Sequence, residues 1–401
     1  GAVAVTQSTN APAEYPQAHN EVAQTARRTT PAGEAEHPLH IAMLAPPWIP
    51  VPPPGYGGIE EVVALVTDAL VARGHEVELF CAPGSSSSAR VHALLPRAHP
   101  EAIERSLFEA DHVALAFAAF DEAAARAHPF DVVHDHCGYT PLAMADRIST
   151  PLVHTVHGPF DEDTSVHYRH NAAKGSIVCI SHSQAGMAPD GVSVTGVVHN
   201  PMDVDAWPVG LRKQDYLLWL GRFVPEKGPQ RAIRVAQMTD RPLILAGTVQ
   251  PGQERFFAQE IQPHVDGERI RFVGEAGGAR KQQLFADAFA FLMPIRWPEP
   301  FGMVMVESLA AGTPVLAFNQ GAAPEIVEDG RNGFLVEDEE QMAARVDDAG
   351  KLDPMQCRQS AERFAPDLVA ARYEAMYEAG IARGAGRPLE EVTVRRGRDL
   401  P

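Results

Sequence analysis

The most informative segment of this sequence is residues 298–312, which read PEPFGMVMVESLAAG. An apolar run at residues 289–293 leads into it and has the length and composition of a buried strand. The two prolines stop any helix before Gly302, and Gly312 stands where a glycine commonly ends a helix. The segment therefore predicts a loop and then a helix from about Gly302 to Gly312, which together with the strand forms one βα unit of a parallel sheet.

The start of this predicted helix can bind an anion. The first backbone N–H groups of a helix have no partner within it, so those of Gly302, Met303 and Val304 are free to face a phosphate. Glu307 is about 7 to 8 Å further along the helix, comparable to the span from a diphosphate to its ribose. Glu299, on the loop, is expected on the other side of the phosphates, near the hydroxyls of a transferred sugar. The alternative is a pair of ordinary surface acids, which the mostly apolar helix disfavours.

A second motif, GRFVPEKG at residues 221–228, lies between a predicted strand and a predicted helix. Its cations, Arg222 and Lys227, follow the first strand of the second half of the chain, so they are expected at the same edge of the sheet as the Gly302 helix start. Together they can neutralise a diphosphate and stabilise it as a leaving group without a metal ion. The alternative is an exposed ion pair with Glu226.

Around these motifs, short apolar runs alternate with amphipathic segments, as in a parallel α/β sheet. The predicted strands of the first half are residues 41–45, 77–81, 131–134, 152–156 and 177–180, with a helix at 59–72. Those of the second half are residues 216–220, 243–246, 270–273, 289–293 and 314–317. Because 401 residues are many for one core, we expect two Rossmann-like, doubly wound α/β domains, residues 39–202 and 203–366, facing a central cleft.

The loop after the first predicted strand is rich in proline and glycine, and its last glycines, Gly57 and Gly58, lead straight into a helix. Their backbone N–H groups could face an anion or a sugar. A turn that needs a positive φ angle is an equally good explanation. The glycines do not form the Gly-x-Gly-x-x-Gly fingerprint of dinucleotide-binding proteins, which disfavours a dehydrogenase.

Taken in order, these elements resemble the retaining glycosyltransferases of the GT-B fold, family 4. The resemblance runs from about residue 40 to residue 380 and includes the glycine-rich first loop, Thr-Val-His-Gly at residues 155–158, GRFVPEKG, the segment from Glu299 to Glu307, and residues 321–336. It implies two facing Rossmann-like domains, transfer of a sugar with retention of its anomeric configuration, and a final helix, residues 367–383, that crosses back to the first domain.

The resemblance also implies roles for single residues. Glu307 would bind the ribose and Glu299 the donor sugar, Arg222 and Lys227 would bind the diphosphate, and His157 would lie close to the reacting centre. The expected catalytic residues are thus His157, Glu299, Arg222 and Lys227. The expected donor-binding residues are Gly57, Gly58, Arg222, Lys227, Glu299, Phe301, Gly302, Met303, Val304 and Glu307. Where many members have Asn-Gly-Val/Ile-Asp after the first domain, this chain has Asn-Pro-Met-Asp at residues 200–203, which leaves the interdomain geometry open.

Several histidines cluster near the ends of two predicted strands of the first domain. His134 and His136 alternate along one strand, and His154 and His157 follow the next. Alternate strand positions share a face, so a metal centre is conceivable, but no set of carboxylates accompanies the rings. We predict no metal site and no cofactor, and we place His134 and His136 at the edge of the acceptor cleft.

Composition excludes other functions. The formal net charge of −18 repels nucleic acids and anionic lipids. No apolar run is long enough to span a membrane, and the opening residues lack a signal-peptide pattern, so we predict a cytoplasmic protein. The helix predicted at residues 59–72 contains three acids and no Lys or Arg, so we do not expect membrane association and favour a soluble acceptor. Residues 1–38 and 384–401 are predicted to be disordered or flexible.

The predicted reaction is metal-independent transfer from a nucleotide-diphosphate sugar, with a UDP-sugar favoured and a GDP-sugar next, to a hydroxyl of a small molecule or glycan. Two alternatives stay open. A nucleotide-sugar 2-epimerase or hydrolase of the same fold would turn over the donor without an acceptor, and a non-catalytic protein would bind the nucleotide sugar without turnover. The transferred sugar, the acceptor and the oligomeric state are not specified by the sequence.

Overall fold

A computed structural model of the chain describes residue 35, residues 37–55, residues 57–103 and residues 105–384. The tails predicted for residues 1–38 and 384–401 fall almost entirely outside this part of the chain. Within it, no helix is long and apolar enough to cross a membrane.

The first half of the chain forms a parallel sheet of seven strands in the described residues, in the order β3-β2-β1-β4-β5-β6-β7. The strands are β1 His40–Leu44, β2 Glu76–Cys81, β3 Arg90–Ala93, β4 Val132–Asp135, β5 Leu152–Val156, β6 Ser176–Cys179 and β7 Val194–Val197. The central strands β1, β4, β5 and β6 are buried along their whole length. This burial explains why they appear in the sequence as continuous apolar runs rather than as alternating patterns.

The second half repeats the design with a parallel sheet of six strands in the described residues, in the order β10-β9-β8-β11-β12-β13. The strands are β8 Leu217–Leu220, β9 Leu243–Ala246, β10 Ile270–Phe272, β11 Ala290–Met293, β12 Val315–Phe318 and β13 Gly333–Val336. The predicted α/β fold with two Rossmann-like sheets is confirmed.

The α-helices connect and cover these strands. They are α1 Gly58–Ala72, α2 Ser106–Ala125, α3 Thr140–Ala143, α4 Glu162–Asn171, α5 His182–Ala185, α6 Pro229–Thr239, α7 Glu254–Phe256, α8 Gly278–Asp287, α9 Met303–Ala310, α10 Ala323–Ile326, α11 Glu339–Ala349, α12 Pro354–Ala361 and α13 Pro366–Gly384. The strands predicted from the sequence lie within about two residues of observed ones, whereas β3, β7, β13 and most of the helices, α2 among them, were not predicted. The edge strands β3 and β7 are only partly buried, which weakens their apolar signal.

The last helix, α13, packs against the first sheet although the second sheet precedes it in the chain. Its Tyr373 and Tyr377 are fully buried in the core beneath β1, β4 and β5. Arg73 at the end of α1 binds Glu374 of α13, with Nε 2.6 Å from Oε1. The final helix therefore packs against the sheet of the first half of the chain.

In both sheets the order in which successive strands are added reverses between two neighbouring strands, β1 and β4 in the first sheet and β8 and β11 in the second. Ligands of doubly wound sheets bind outside the carboxyl ends of the strands at such a switch point. The two halves also touch each other, because Glu325 of α10 accepts hydrogen bonds from the backbone N–H groups of His182 and Ser183 at the start of α5, at 2.9 and 2.8 Å. This contact involves the first turn of a helix in one half and a carboxylate in the other, which suits the positive end of the helix dipole.

Candidate active site

Helix α9 begins as the sequence predicts, directly after the loop that follows β11. Gly302 precedes it with φ 86°, a left-handed conformation that favours glycine. Met303 and Val304 are half-buried, so the start of the helix is not sealed inside the core. The helix ends at Ala310, two residues before Gly312, whose φ is 74°. The predicted helix and its glycine stop are thus present.

Glu307 lies on α9 and is paired with a lysine that the sequence motifs did not indicate. Its Oε1 accepts a hydrogen bond of 2.5 Å from Nζ of Lys281, on α8. Its Oε2 is buried and has no hydrogen-bond partner among the described residues. A buried carboxylate oxygen without a donor is costly, so the position requires one from another source. One oxygen of Glu307 is fixed by the protein, and the other is available to a ligand hydroxyl.

Glu299 is paired in the same way with the lysine of the GRFVPEKG motif. Lys227 Nζ donates to Glu299 Oε2, and the indole Nε1 of Trp297 donates to the same oxygen at 2.6 Å. The backbone of Glu299 is held as well, because its carbonyl accepts from the N–H of Ala322 at 3.1 Å. The structure therefore brings together the two motifs that are 72 residues apart in the sequence.

A buried arginine fixes the loop that carries Lys227. Arg231, on α6, donates through Nε to the carbonyl of Pro294, at the end of β11, at 2.6 Å. Its Nη2 donates to the carbonyls of Pro225 and Glu226 at 3.0 and 2.9 Å. One guanidinium group therefore ties the loop after β8 to the end of β11. This explains how two separate strand ends present Lys227 and Glu299 side by side.

The other predicted donor residues differ in exposure. Arg222 is exposed after β8, and its guanidinium has no hydrogen-bond or ion-pair partner among the described residues. Phe301, in contrast, is only 2% exposed, and its ring packs between His199 and Phe364 with centroids 5.6 and 5.7 Å away. The prediction that Phe301 contacts the donor is therefore corrected for its side chain, which anchors the loop in the core.

Gly57 and Gly58 lie at the start of α1, across from this site. Gly57 has φ −174°, an extended conformation, and Gly58 also lacks a positive φ. The turn explanation for these two glycines is therefore wrong. A Cβ atom on Gly57 would lie 2.7 Å from Cβ of Pro53, so close packing within the loop is one reason for glycine there.

Two acids at the start of α1 were not singled out by the sequence motifs. Glu60 is 5% exposed, and burial raises the pKa of its carboxyl. The pKa of Glu61 is also raised, first by burial and then by the charge of Glu307, while Lys281 opposes the shift. Because Glu61 belongs to the first half and the other two to the second, the start of α1 faces α8 and α9. The cleft is therefore acidic on both sides of Lys281.

His157 and His136 are hydrogen bonded to each other after β5 and β4. His136 Nδ1 lies 2.8 Å from His157 Nε2. Burial is the largest cause that lowers the pKa of His157, to about 3, and it also lowers the pKa of His136 well below the ordinary value. Both rings are therefore neutral at physiological pH. His157 is half-buried and His136 is fully buried, so of the two rings only His157 can reach a ligand directly.

His134 lies deeper than predicted. Its side chain is 0% exposed, with Nδ1 2.7 Å from the hydroxyl of Tyr377 and Nε2 2.9 Å from that of Thr155. This placement corrects the prediction that His134 borders the acceptor cleft, because neither ring nitrogen is free. The same correction holds for direct contact by His136, which lies behind His157. The alternating pattern correctly put the two rings on one face, but α13 covers that face.

Comparison with known proteins identifies the family of this chain. Residues 205–364 match the family described as glycosyl transferases group 1, and residues 56–206 match glycosyltransferase family 4. The chain is 28% identical to the D-inositol 3-phosphate glycosyltransferase of Streptomyces scabiei, over 80% of this chain and 86% of the relative. It is 26% identical to the protein of that name from Mycolicibacterium smegmatis, over 76% of this chain and 82% of the relative.

Two solved structures are also similar. AviGT4, a glycosyltransferase involved in avilamycin A biosynthesis, is 26% identical with a TM-score of 0.63, and the match covers 86% of this chain and 98% of that one. Anabaena HepE in complex with UDP and glucose has a TM-score of 0.63 at 20% identity, over 85% of this chain and 100% of that one.

Proposed function

Since this chain is a glycosyltransferase of the GT-B fold and belongs to family 4, we propose that it transfers a sugar from a nucleotide-diphosphate sugar to an acceptor hydroxyl with retention of configuration. A UDP-sugar is the favoured donor and a GDP-sugar the next. The observation that carries the proposal is the pair of lysine–glutamate units, Lys227 with Glu299 and Lys281 with Glu307, on either side of the start of α9.

In this proposal the ribose is bound by Glu307. Lys281 fixes Oε1, while the unpartnered Oε2 accepts from a ribose hydroxyl. Glu299 accepts from hydroxyls of the transferred sugar through the oxygen that Lys227 and Trp297 leave free. Hydrogen bonds to a charged acceptor are the stronger kind, so both contacts contribute specificity as well as affinity.

The departing diphosphate is stabilised by Arg222, Lys227 and the N–H groups at the start of α9. Charge that develops on a leaving group is best stabilised by groups already in place, and this term is usually the largest in catalysis. We propose that these groups suffice without a metal ion. His157, neutral because of its burial, acts as a hydrogen-bond partner of the donor sugar close to the reacting bond rather than as a cation.

The acceptor is proposed to be soluble. Helix α1, which borders the cleft with Glu60 and Glu61, has no Lys or Arg, so it offers no basic surface to an anionic membrane. The relatives named as D-inositol 3-phosphate glycosyltransferases make a small polyol a reasonable first acceptor to test.

Purified protein incubated with a panel of UDP- and GDP-sugars, with and without acceptors and in the presence of EDTA, tests the proposal. We expect thermal stabilisation by one nucleotide series and acceptor-dependent release of the nucleoside diphosphate. The product should have the same anomeric configuration as the donor when analysed by NMR. Rapid full turnover without acceptor would favour the epimerase or hydrolase, and stabilisation without any turnover across a broad acceptor panel would favour the binding protein.

A further inference from the structure

A cluster of histidines and glutamates lies at the opposite end of the first sheet from the cleft. Its centre is formed by His40 of β1, Glu76 of β2 and His128, from the loop after α2. One ligand atom of each residue lies within 4.8 Å of those of the other two. We propose that this cluster is a binding site for a divalent transition-metal ion of the zinc class.

The fold brings the three side chains together through strand register and a tight turn. His40 and Glu76 are opposite each other in the β1/β2 pair. Helix α2 ends at a turn in which Ala127 has φ 60°, and the N–H of His128 bonds to the carbonyl of Ala123 at 3.0 Å. A left-handed conformation is uncommon for a residue with a Cβ atom, and such residues gather at functional positions. The turn stacks the His128 ring on that of His40, with centroids 4.1 Å apart. Because the lone pairs lie in the ring planes, the exposed His128 ring must turn about its side-chain bonds for both rings to bind one ion.

The tautomer of His40 leaves a lone pair directed at the carboxylates. Its Nδ1 lies 3.0 Å from the carbonyl oxygen of Pro129, which can only accept, so Nδ1 carries the proton. In a neutral ring Nε2 is then an acceptor, yet it faces Oε1 of Glu78 at 3.2 Å and Oε1 of Glu76 at 3.9 Å. A cation between acceptors that converge in this way stabilises them. A backbone carbonyl on the other ring nitrogen is also the usual outer partner of a metal-bound histidine.

The distances suit a small ion. Ligands about 2.0 to 2.1 Å from a tetrahedral zinc ion are about 3.3 Å from one another. His128 Nε2 and Glu76 Oε1 are 3.2 Å apart, and His40 Nε2 and Glu76 Oε1 are 3.9 Å apart. The side chains of Glu76 and His128 are each 58% exposed, so water can complete the coordination. Imidazole nitrogens with a carboxylate favour zinc, nickel or copper over magnesium or calcium.

Neighbouring groups complete a second layer. Glu78, beside Glu76 on β2, accepts from His92 of β3 at 2.5 Å and lies 3.9 Å from Nη1 of Arg90. The charges of Arg90 and Glu78 offset each other. The charge of Glu76 is then left to balance part of the charge of the ion. Because the cluster joins β1, β2 and the loop after α2, a bound ion is expected to stabilise the fold without entering the transfer reaction.

Zinc binding by the chelator-treated full chain, with any purification tag removed, tests the site at pH 7.5. Titration calorimetry with ZnCl₂ should give one site per chain, and zinc should raise the melting temperature where MgCl₂ does not. His128→Ala and Glu76→Gln change exposed side chains, and each should weaken zinc binding by more than about tenfold. His264→Ala, which changes an exposed histidine of the second half, should bind zinc as the parent protein does.

Absence of zinc binding, or equal binding by the parent, His128→Ala and Glu76→Gln proteins, would overturn the proposal. The cluster would then be a hydrogen-bonded group of histidines and carboxylates that binds no ion. Equal weakening in His264→Ala would overturn it as well, because it would show binding by surface histidines in general. Neither readout uses a nucleotide sugar, so the result is independent of the proposed transfer activity.

Discussion

The ribose role of Glu307 predicts a specific effect of Glu307→Gln. The substitution keeps the shape of the side chain but removes the charge at Oε2, the buried oxygen without a partner among the described residues. A hydrogen bond to a charged group contributes about 1.5 to 3 kcal/mol, against about 1 kcal/mol for a neutral pair. The hydrogen bond from the ribose hydroxyl to Oε2 would therefore lose about 0.5 to 2 kcal/mol. Donor KM should rise about 2- to 30-fold.

Because the ribose does not change during transfer, kcat should change much less than KM. The measurements are initial rates against donor concentration and calorimetric Kd values for the nucleoside diphosphate. Inhibition by inorganic pyrophosphate, which has no ribose, should be unchanged. Glu260→Gln, at an exposed position of the second half, is the matched control. Unaltered KM and Kd in a variant with the parent's melting temperature would refute the ribose assignment. Inhibition by pyrophosphate that is weakened as much as the binding of the nucleoside diphosphate would refute it as well.

Lys227→Met should lower kcat by about 10² to 10³, because it removes a preorganised charge at the leaving group; Lys351→Met, at an exposed lysine paired with Asp348, should leave kcat unchanged, and a similar kcat in both variants would contradict the role. Tyr377→Phe should destabilise the protein by about 1 to 3 kcal/mol, because His134 Nδ1 would lose its 2.7 Å partner while buried, and an unchanged denaturation midpoint would contradict this. Between pH 7 and pH 5.5 the free energy of unfolding should fall by about 1 kcal/mol for each of His112, His134 and His136. Burial lowers the pKa of these three histidines in the folded state, that of His112 to about 4. In the unfolded chain the same side chains take up protons near pH 6.5, so acid favours unfolding. Urea titrations across this range should show the fall, and a stability that rises on acidification would show that the rings are charged in the fold.

Much of the fold could be predicted because buried parallel strands appear directly as apolar runs. β5 and β9 were predicted to the residue, and each is buried throughout. The edge strand β3, in contrast, has an exposed Arg90 and only partly buried neighbours, so nothing in its sequence separates it from a loop. Helix α2 has buried polar residues such as Glu109 and His112, which obscured its apolar face.

The site was predictable where its residues belong to a local motif and not where they meet through tertiary packing. Glu299, Gly302 and Glu307 lie on one loop and one helix, so their order in space follows from their order in the chain. Lys281 is 26 residues from Glu307 and on another helix, and no spacing rule connects the two. The prediction for His134 was wrong for the same reason, because the tyrosine that is hydrogen bonded to its Nδ1 is 243 residues away on α13.

The charges of the side chains in the cleft determine which groups attract a diphosphate. Lys227 and Lys281 are each neutralised by a glutamate, so these four side chains together contribute no net charge. Glu60 and Glu61 on α1 add acidity, and burial raises the pKa of both carboxyls. In a chain of net charge −18, attraction of the phosphates then depends on Arg222 and the start of α9. Replacing Arg222 should accordingly weaken the binding of the nucleoside diphosphate more strongly at low ionic strength than at high ionic strength, since salt screens an exposed charge. The paired lysines, being partly buried, would instead act on the donor once it is bound, Lys281 by holding Glu307 and Lys227 by stabilising the charge that develops on the departing diphosphate.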